Sequence, residues 1–256
     1  MNRRDRWLSV ALLCLLAGAP AAHAQSTQDG TWHYVLEPYF MLANLHGTAG
    51  LGTLPDAAVD ESPSDIFSHL QMGAMLYAEA SNDAWSISSD VLYMNLAGNA
   101  DANRVIAYGR VDLKQIGWEL ALLHRLTDHI DVGIGAQLNS VDAGLHLAIN
   151  VPIIGVVTND FDQKHTWVDP TILLRGTFPL TDKWSISGRG NVGGFDVASK
   201  FAWQVQLYAQ YHFSPNKYFS FGYRVIGDDY ESGSGSSRFL YDITTFGPVA
   251  RIAFTF

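Results

Sequence analysis

Eleven charged side chains recur at alternate positions inside otherwise apolar or small-residue runs, and theirs is the spacing that could support chemistry. Six are acids (Glu37, Glu79, Asp90, Glu119, Asp131, Asp169) and five are arginines (Arg125, Arg175, Arg189, Arg224, Arg251), with acids dominating the early runs and arginines the late ones. A lone charge facing an enclosed interior is costly unless it is paired. The pattern therefore favours a structural network of ion pairs, although the same residues could line a narrow polar pathway or gate.

Hydrolysis is the other chemistry to weigh. His46, His69, His146 and His165 fall toward one end of the runs, and His33, His124, His129 and His212 toward the other. Asp56, Asp60, Asp160, Asp162, Asp228 and Asp229 lie in the connections. No Ser, His and acid grouping repeats a known signature, so no catalytic residue is assigned. Neither Asp160, Asp162 and His165 nor Asp228, Asp229 and Glu231 has calcium-loop spacing, so no metal or cofactor is expected.

Strands position these residues. Apolar and polar side chains alternate with period two over 34–42, 69–80, 85–94, 114–126, 130–138, 165–178, 184–194, 201–213, 218–225 and a closing run reaching from about 239 to 256. This predicts about ten strands, with eight as the alternative. Connections alternate between tight turns and long segments (46–65, 97–111, 141–164, 227–237), with 195–200 as the one short exception. The middle of 141–164 could prolong a hairpin or fold into a barrel mouth.

The start of the chain has the form of a secretory signal: Arg3, Arg4 and Arg6, an apolar run over 7–16, then Ala22-His23-Ala24. Segment 1–24 is expected to be removed, leaving one domain over 25–256. The single cysteine, Cys14, goes with it, and the formal charge moves from −9 to −11, because three arginines and one aspartate are lost. Such a chain does not seek nucleic acid. With no long apolar helix in the mature chain, the choice is between a soluble β-barrel and a membrane one.

The membrane barrel is favoured, with its apolar parity toward lipid. Lys114, Lys164, Lys183, Lys200 and Lys217 stand at strand ends or turns instead of studding a water-facing parity, and Trp32, Trp85, Trp167, Trp184 and Trp203 sit near strand ends like interfacial girdles. This orientation requires Leu207 outside and Gln206 and Arg251 inside.

Two resemblances add to this reading. The final strand, with Phe254 and a terminal Phe256, resembles the signal that the barrel-assembly machinery recognises. Trp167-Val168-Asp169-Pro170, the turn 179–185, the Gly-Asn-Val-Gly-Gly-Phe run at 190–195, Gly222-Tyr223-Arg224, Tyr241-Asp242 and Gly247-Pro248 are similar to a widespread proteobacterial family of outer-membrane β-barrel proteins of uncharacterised role. That resemblance implies a fold and a location but no activity.

The expectation is thus an all-β, antiparallel up-and-down transmembrane β-barrel in the outer membrane, with both termini periplasmic. Its expected partners are outer-membrane lipid, lipopolysaccharide and the assembly machinery, and its oligomeric state is open. The expected role is non-enzymatic: structural, or passage of small solutes, with a polar lumen largely filled by side chains. The alternatives are a channel or pocket for small hydrophobic compounds and a hydrolase with a rim site.

Overall fold

The computed structural model describes residues 31–100, 106–151 and 155–256, so the expected signal segment 1–24 lies outside the described residues. The strands are β1 (His33–Met41), β2 (Asn44–Leu51), β3 (Ala57–Glu61), β4 (Leu70–Ser81), β5 (Trp85–Ala100), β6 (Ile106–Thr127), β7 (Ile130–Val151), β8 (Gly155–Pro179), β9 (Trp184–Gly193), β10 (Phe201–Ser214), β11 (Lys217–Ser232) and β12 (Phe239–Thr255). Ten of them, β1 and β4 through β12, pair antiparallel with sequence neighbours and close where β1 meets β12, from Val35 opposite Thr255 to Met41 opposite Val249. Closure removes the sheet edges that would otherwise expose unpaired backbone groups.

Side-chain direction follows the parity. Leu207 is 59% exposed on the outside, whereas Gln206 is 3% and Arg251 5% exposed within. Exposed apolar residues such as Phe40, Leu120, Ile172, Val205 and Phe221 form the outer belt, and the buried set is rich in Asp, Glu, Arg, Gln, Asn and Ser. A water-soluble barrel would have the reverse arrangement. A belt of this kind suits hydrocarbon outside and a polar filling inside.

The segments read as long connections are largely ordered. β6 pairs with β7 as far as Ile106 opposite Ile149, and β7 with β8 as far as Val151 opposite Gly155, so 141–164 prolongs a hairpin. In this upper part the alternation inverts. On β6 the inward residues change from Glu119 to Gln115, Leu113 and Val111, while the outward ones change from Trp118 and Ile116 to Lys114 and Asp112. Outward Asp160, Asp162 and Lys164 on β8 are likewise exposed. Charges of that kind do not face lipid, so the upper wall is a tower standing in water above the belt.

Segment 46–65 is also structured. β2 continues the line of β1 along β12, from Asn44 opposite Phe246 to Leu51 opposite Phe239, and folds back as β3. The break at Leu42 and Ala43 needs Gly247: the Leu42 carbonyl oxygen would lie 1.9 Å from any Cβ there. A helix, α1 (Pro63–His69), then leads into β4. Ser62 and Asp65 form its capping box, with Pro63 pre-set for the first turn. Among the described residues β3 pairs only with β2, and α1, which follows it, packs against β5. Ile66 of this helix is buried, while Phe67 stacks at 5.2 Å on the outward Phe40.

One girdle assignment is corrected. Trp32, Trp85 and Trp184 are exposed and Trp203 is half-buried, but Trp167 is buried and stacks on Tyr230 at 4.0 Å. Trp167 shares the inward parity of Asp169, which outweighs its position near the end of a strand.

Candidate functional site

The lumen has three levels. At the short-turn end a polar vestibule of about 490 Å³ is lined by Glu79, Asp131, Arg175, Ser187, His212 and neighbouring residues. Arg175 donates to Asp131 at 2.7 Å and reaches across to Glu79 on β4, which also accepts from Tyr77. Arg125 stands 3.7 Å from Asp131 at the mouth. Arg251 donates to Glu37 at 3.2 Å, and the Tyr218 hydroxyl donates to the same carboxylate.

Above the vestibule is a waist of buried cross-lumen pairs. Arg189 on β9 donates to Glu119 on β6 at 2.6 Å, and Asn191 and Gln204 donate to the other oxygen of that carboxylate at 3.0 and 3.4 Å. Arg224 on β11 lies 3.2 Å from Asp90 on β5 and donates to Tyr39 at 2.7 Å, and Tyr39 in turn donates to Asp90 at 2.6 Å. The Arg251 guanidinium lies 4.4 Å from the Tyr208 ring centre and 4.7 Å from that of Tyr39, within cation–π range. The void left at this level is about 60 Å³.

Acids from the first strands and arginines from the last therefore meet because closure brings distant strands face to face. Asp169 is not among these pairs. It accepts from the backbone N–H and the hydroxyl of Ser199 at 2.8 and 2.6 Å, and so ties down the short 195–200 loop, where Gly194, Phe195 and Asp196 all take positive φ. Motifs carrying the family resemblance thus meet one another: Asp169 holds Ser199 in the loop that follows Gly193-Gly194-Phe195, and Trp167 packs against Tyr241 with ring centres 5.8 Å apart. At the seam, Phe256 and Tyr34 exchange backbone hydrogen bonds of 2.9 and 3.1 Å, and Phe254 packs outward near Lys217.

Sequence reasoning missed Asp228, placed in a connection but buried in β11, where it accepts from Gln137 and Asn139 at 3.2 Å each. It also missed the third level, an apolar cup of about 480 Å³ inside the tower. The usable signal was the change of inward residues from polar to apolar along a single strand, as from Asp90 to Leu92, Met94 and Leu96 on β5.

Two Ser–His contacts bear on hydrolysis. Ser232 lies 3.2 Å from His165 Nδ1, whose other ring nitrogen meets Gln163, and Ser185 lies 3.3 Å from His212 Nε2. Neither contact has a carboxylate in the orienting position a triad needs. Among the described residues no group of three His, Cys, Asp or Glu side chains could hold a metal.

No protein-family model matches the chain, nor does any curated sequence. Among solved structures it resembles the outer-membrane protease OmpT from Escherichia coli, with TM-score 0.55, 11% identity, and coverage of 91% of this chain and 99% of that one. Ail, the attachment invasion locus protein of Yersinia pestis, aligns with TM-score 0.39 and 10% identity over 90% of this chain and 100% of that one. The Pseudomonas putida toluene transporter TodX aligns with TM-score 0.35 and 11% identity over 90% of each chain. At such identities the OmpT likeness establishes the fold alone: the chain is an outer-membrane-type β-barrel.

Proposed function

We propose that the protein is a closed, non-conducting and non-enzymatic barrel of the outer membrane, with both termini in the periplasm and the tower at the cell surface. The waist carries this reading. An ion crossing it would have to separate Arg189 from Glu119 or Arg224 from Asp90, all four buried, and breaking such a pair costs about 3–5 kcal/mol. The lumen charges then act as a plug that fixes the strands, and the belt is solvated by outer-membrane lipid, with lipopolysaccharide around the tower. Phe254 and Phe256 serve recognition by the assembly machinery.

Planar-bilayer recording on protein whose folding is verified by heat-modifiable gel migration tests the reading. No steady conductance is expected, and reproducible ion-selective channels would overturn it. Topology is read separately in intact cells with a membrane-impermeant maleimide. The Gly235→Cys variant should label directly, and Asn216→Cys only after the outer membrane is permeabilised.

A further inference from the structure

The cup is a large apolar space that the charge plug does not fill. Its walls include Leu45, Val59, Ile66, Leu113, Val111 and Val141, contributed by four different strands and α1. Val111 points inward and is nonetheless 48% exposed, so an apolar side chain faces open space within the wall. Apolar surfaces of this kind gain when water against them is exchanged for hydrocarbon. The waist closes the cup from below. The aromatic panel of Trp167, Tyr230, Phe239 and Tyr241 flanks it, with ring centres 4.0 to 6.4 Å apart.

The chemistry of the lining selects the occupant. The apolar walls give a charged group no partner; of the acids in the lining, Asp65 is bonded to Ser62 and Asp112 to Arg110, and Glu61 adds a charge that repels anions. A peptide segment would bring amides that find no free ladder on β2, β6, β7 or β12, each paired on both sides, and the one open edge of β3 is only five residues long. One polar group stands at the floor: Gln115 donates to the Tyr241 hydroxyl oxygen at 2.9 Å, which leaves that hydroxyl its own proton to give. The volume of about 480 Å³ lies within the range of about 300–1,000 Å³ typical of small-molecule pockets.

The geometry points to a binding site for a compact, uncharged molecule with a mainly hydrocarbon body and at most one hydrogen-bond acceptor, held in the tower above the sealed waist. This goes beyond the closed-barrel reading and its test is independent: a conducting waist would alter the bilayer recordings and leave the measurement below unchanged.

The test uses Val111→Cys in the cup and Ser187→Cys in the vestibule, each in protein folded in lipid nanodiscs and, separately, in lipid-free amphipol. The rate of thiol modification by a water-soluble maleimide is followed with increasing naphthalene. Saturable protection at position 111, about tenfold at ten times Kd because only the free fraction reacts, with none at position 187, is expected in both media. No protection, or equal protection at both positions, overturns the proposal. If labelling at position 111 is already slow in nanodiscs without naphthalene and fast in amphipol, a lipid acyl chain is the occupant and the free-ligand proposal falls. Adding Leu113→Asp to Val111→Cys should abolish protection while gel migration shows the barrel folded, and protection that persists would place naphthalene elsewhere.

Discussion

The belt and the tower are built from the same strands and obey opposite rules. Within the belt β6 turns Glu119 inward and Leu120 outward, whereas a few residues higher it turns Leu113 inward and Asp112 and Lys114 outward. No bulge separates the two regions on β6, because its register with β7 runs unbroken from Arg125 to Tyr108. What changes is the solvent. A strand keeps its pleat while the medium outside passes from hydrocarbon to water, so the apolar parity must change sides if both regions are to be stable. The lower lumen can be polar because its groups pair with one another, and the upper lumen becomes apolar because its outer wall carries the polar surface.

The largest effect that probes this contrast lies in the waist. Arg224→Leu leaves Asp90 buried without its guanidinium and removes the donor to Gln204 and Tyr39. Unfolding in urea should show a loss of about 3–5 kcal/mol. Replacing both partners, Arg224→Leu with Asp90→Leu, should recover much of it, since the penalty belongs to the orphaned charge. A single variant as stable as wild type would mean that the waist is hydrated and not a desolvated plug.

A lysine placed on the outward face separates the two regions next. Leu207→Lys puts an ammonium on the lipid side of β10, at a cost of about 2–4 kcal/mol near the bilayer midplane. The tower already carries Lys164 outward, and Lys164→Leu should shift stability by less than about 0.5 kcal/mol. Comparable losses at the two sites would remove the distinction between belt and tower. Between belt and tower lies α1, where Ser62→Ala deletes the side-chain half of the capping box. A loss of about 0.5–2 kcal/mol is expected there, read as faster proteolysis within 62–70 with little change in the global urea midpoint.

That contrast also explains what could be read from the sequence. The belt strands were legible because a lipid-facing parity and a lumen-facing parity differ strongly residue by residue, as in Val205, Gln206 and Leu207. The tower was not, because its phase inversion makes 97–111 and 141–164 look aperiodic when they are matched to the belt pattern. Segment 46–65, rich in Gly, Pro and acids, hid two strands and a helix whose stability comes from pairing with β12, far away in sequence. The lumen charges were legible as a class from their parity. Their partners were not, because pairs such as Arg189 with Glu119 and Arg224 with Asp90 join strands that are not neighbours in the sheet. The aspartate of Trp167-Val168-Asp169-Pro170 had the parity of an ion-pair member, yet its partner is the backbone and hydroxyl of a loop serine, and no side-chain pattern announces such a contact. The cup was hidden for the same reason as the tower that encloses it.

The smallest effect concerns the tower rim, where a charge-assisted clasp does in water what the waist does in the lumen. Arg238 donates to Asp56 at 2.5 and 3.1 Å and to Glu231 at 2.9 Å, and Gly52 donates to the Arg238 carbonyl at 2.7 Å, so the β2–β3 turn is fastened to the approach to β12. The hydrogen bonds from Arg238 hold the Asp56 carboxyl below its ordinary range. A depressed carboxylate contributes stability above its unfolded pKa of about 3.9 and loses it as pH falls through the lower folded value. The clasp should therefore be fully closed at neutral pH and still closed near pH 5, opening only at stronger acidity. Pepsin cleavage over 52–56 reads this directly against Asp56→Asn, which lacks the charge at every pH. Wild type should be cut more slowly than the variant at about pH 5, and the difference should narrow at about pH 2, as falling pH protonates the carboxylate. Equal rates at both pH values would show that the turn is held by its β-pairing alone, and that the exposed ion pairs of the tower, unlike the buried pairs of the waist, contribute nothing measurable to holding strands in place.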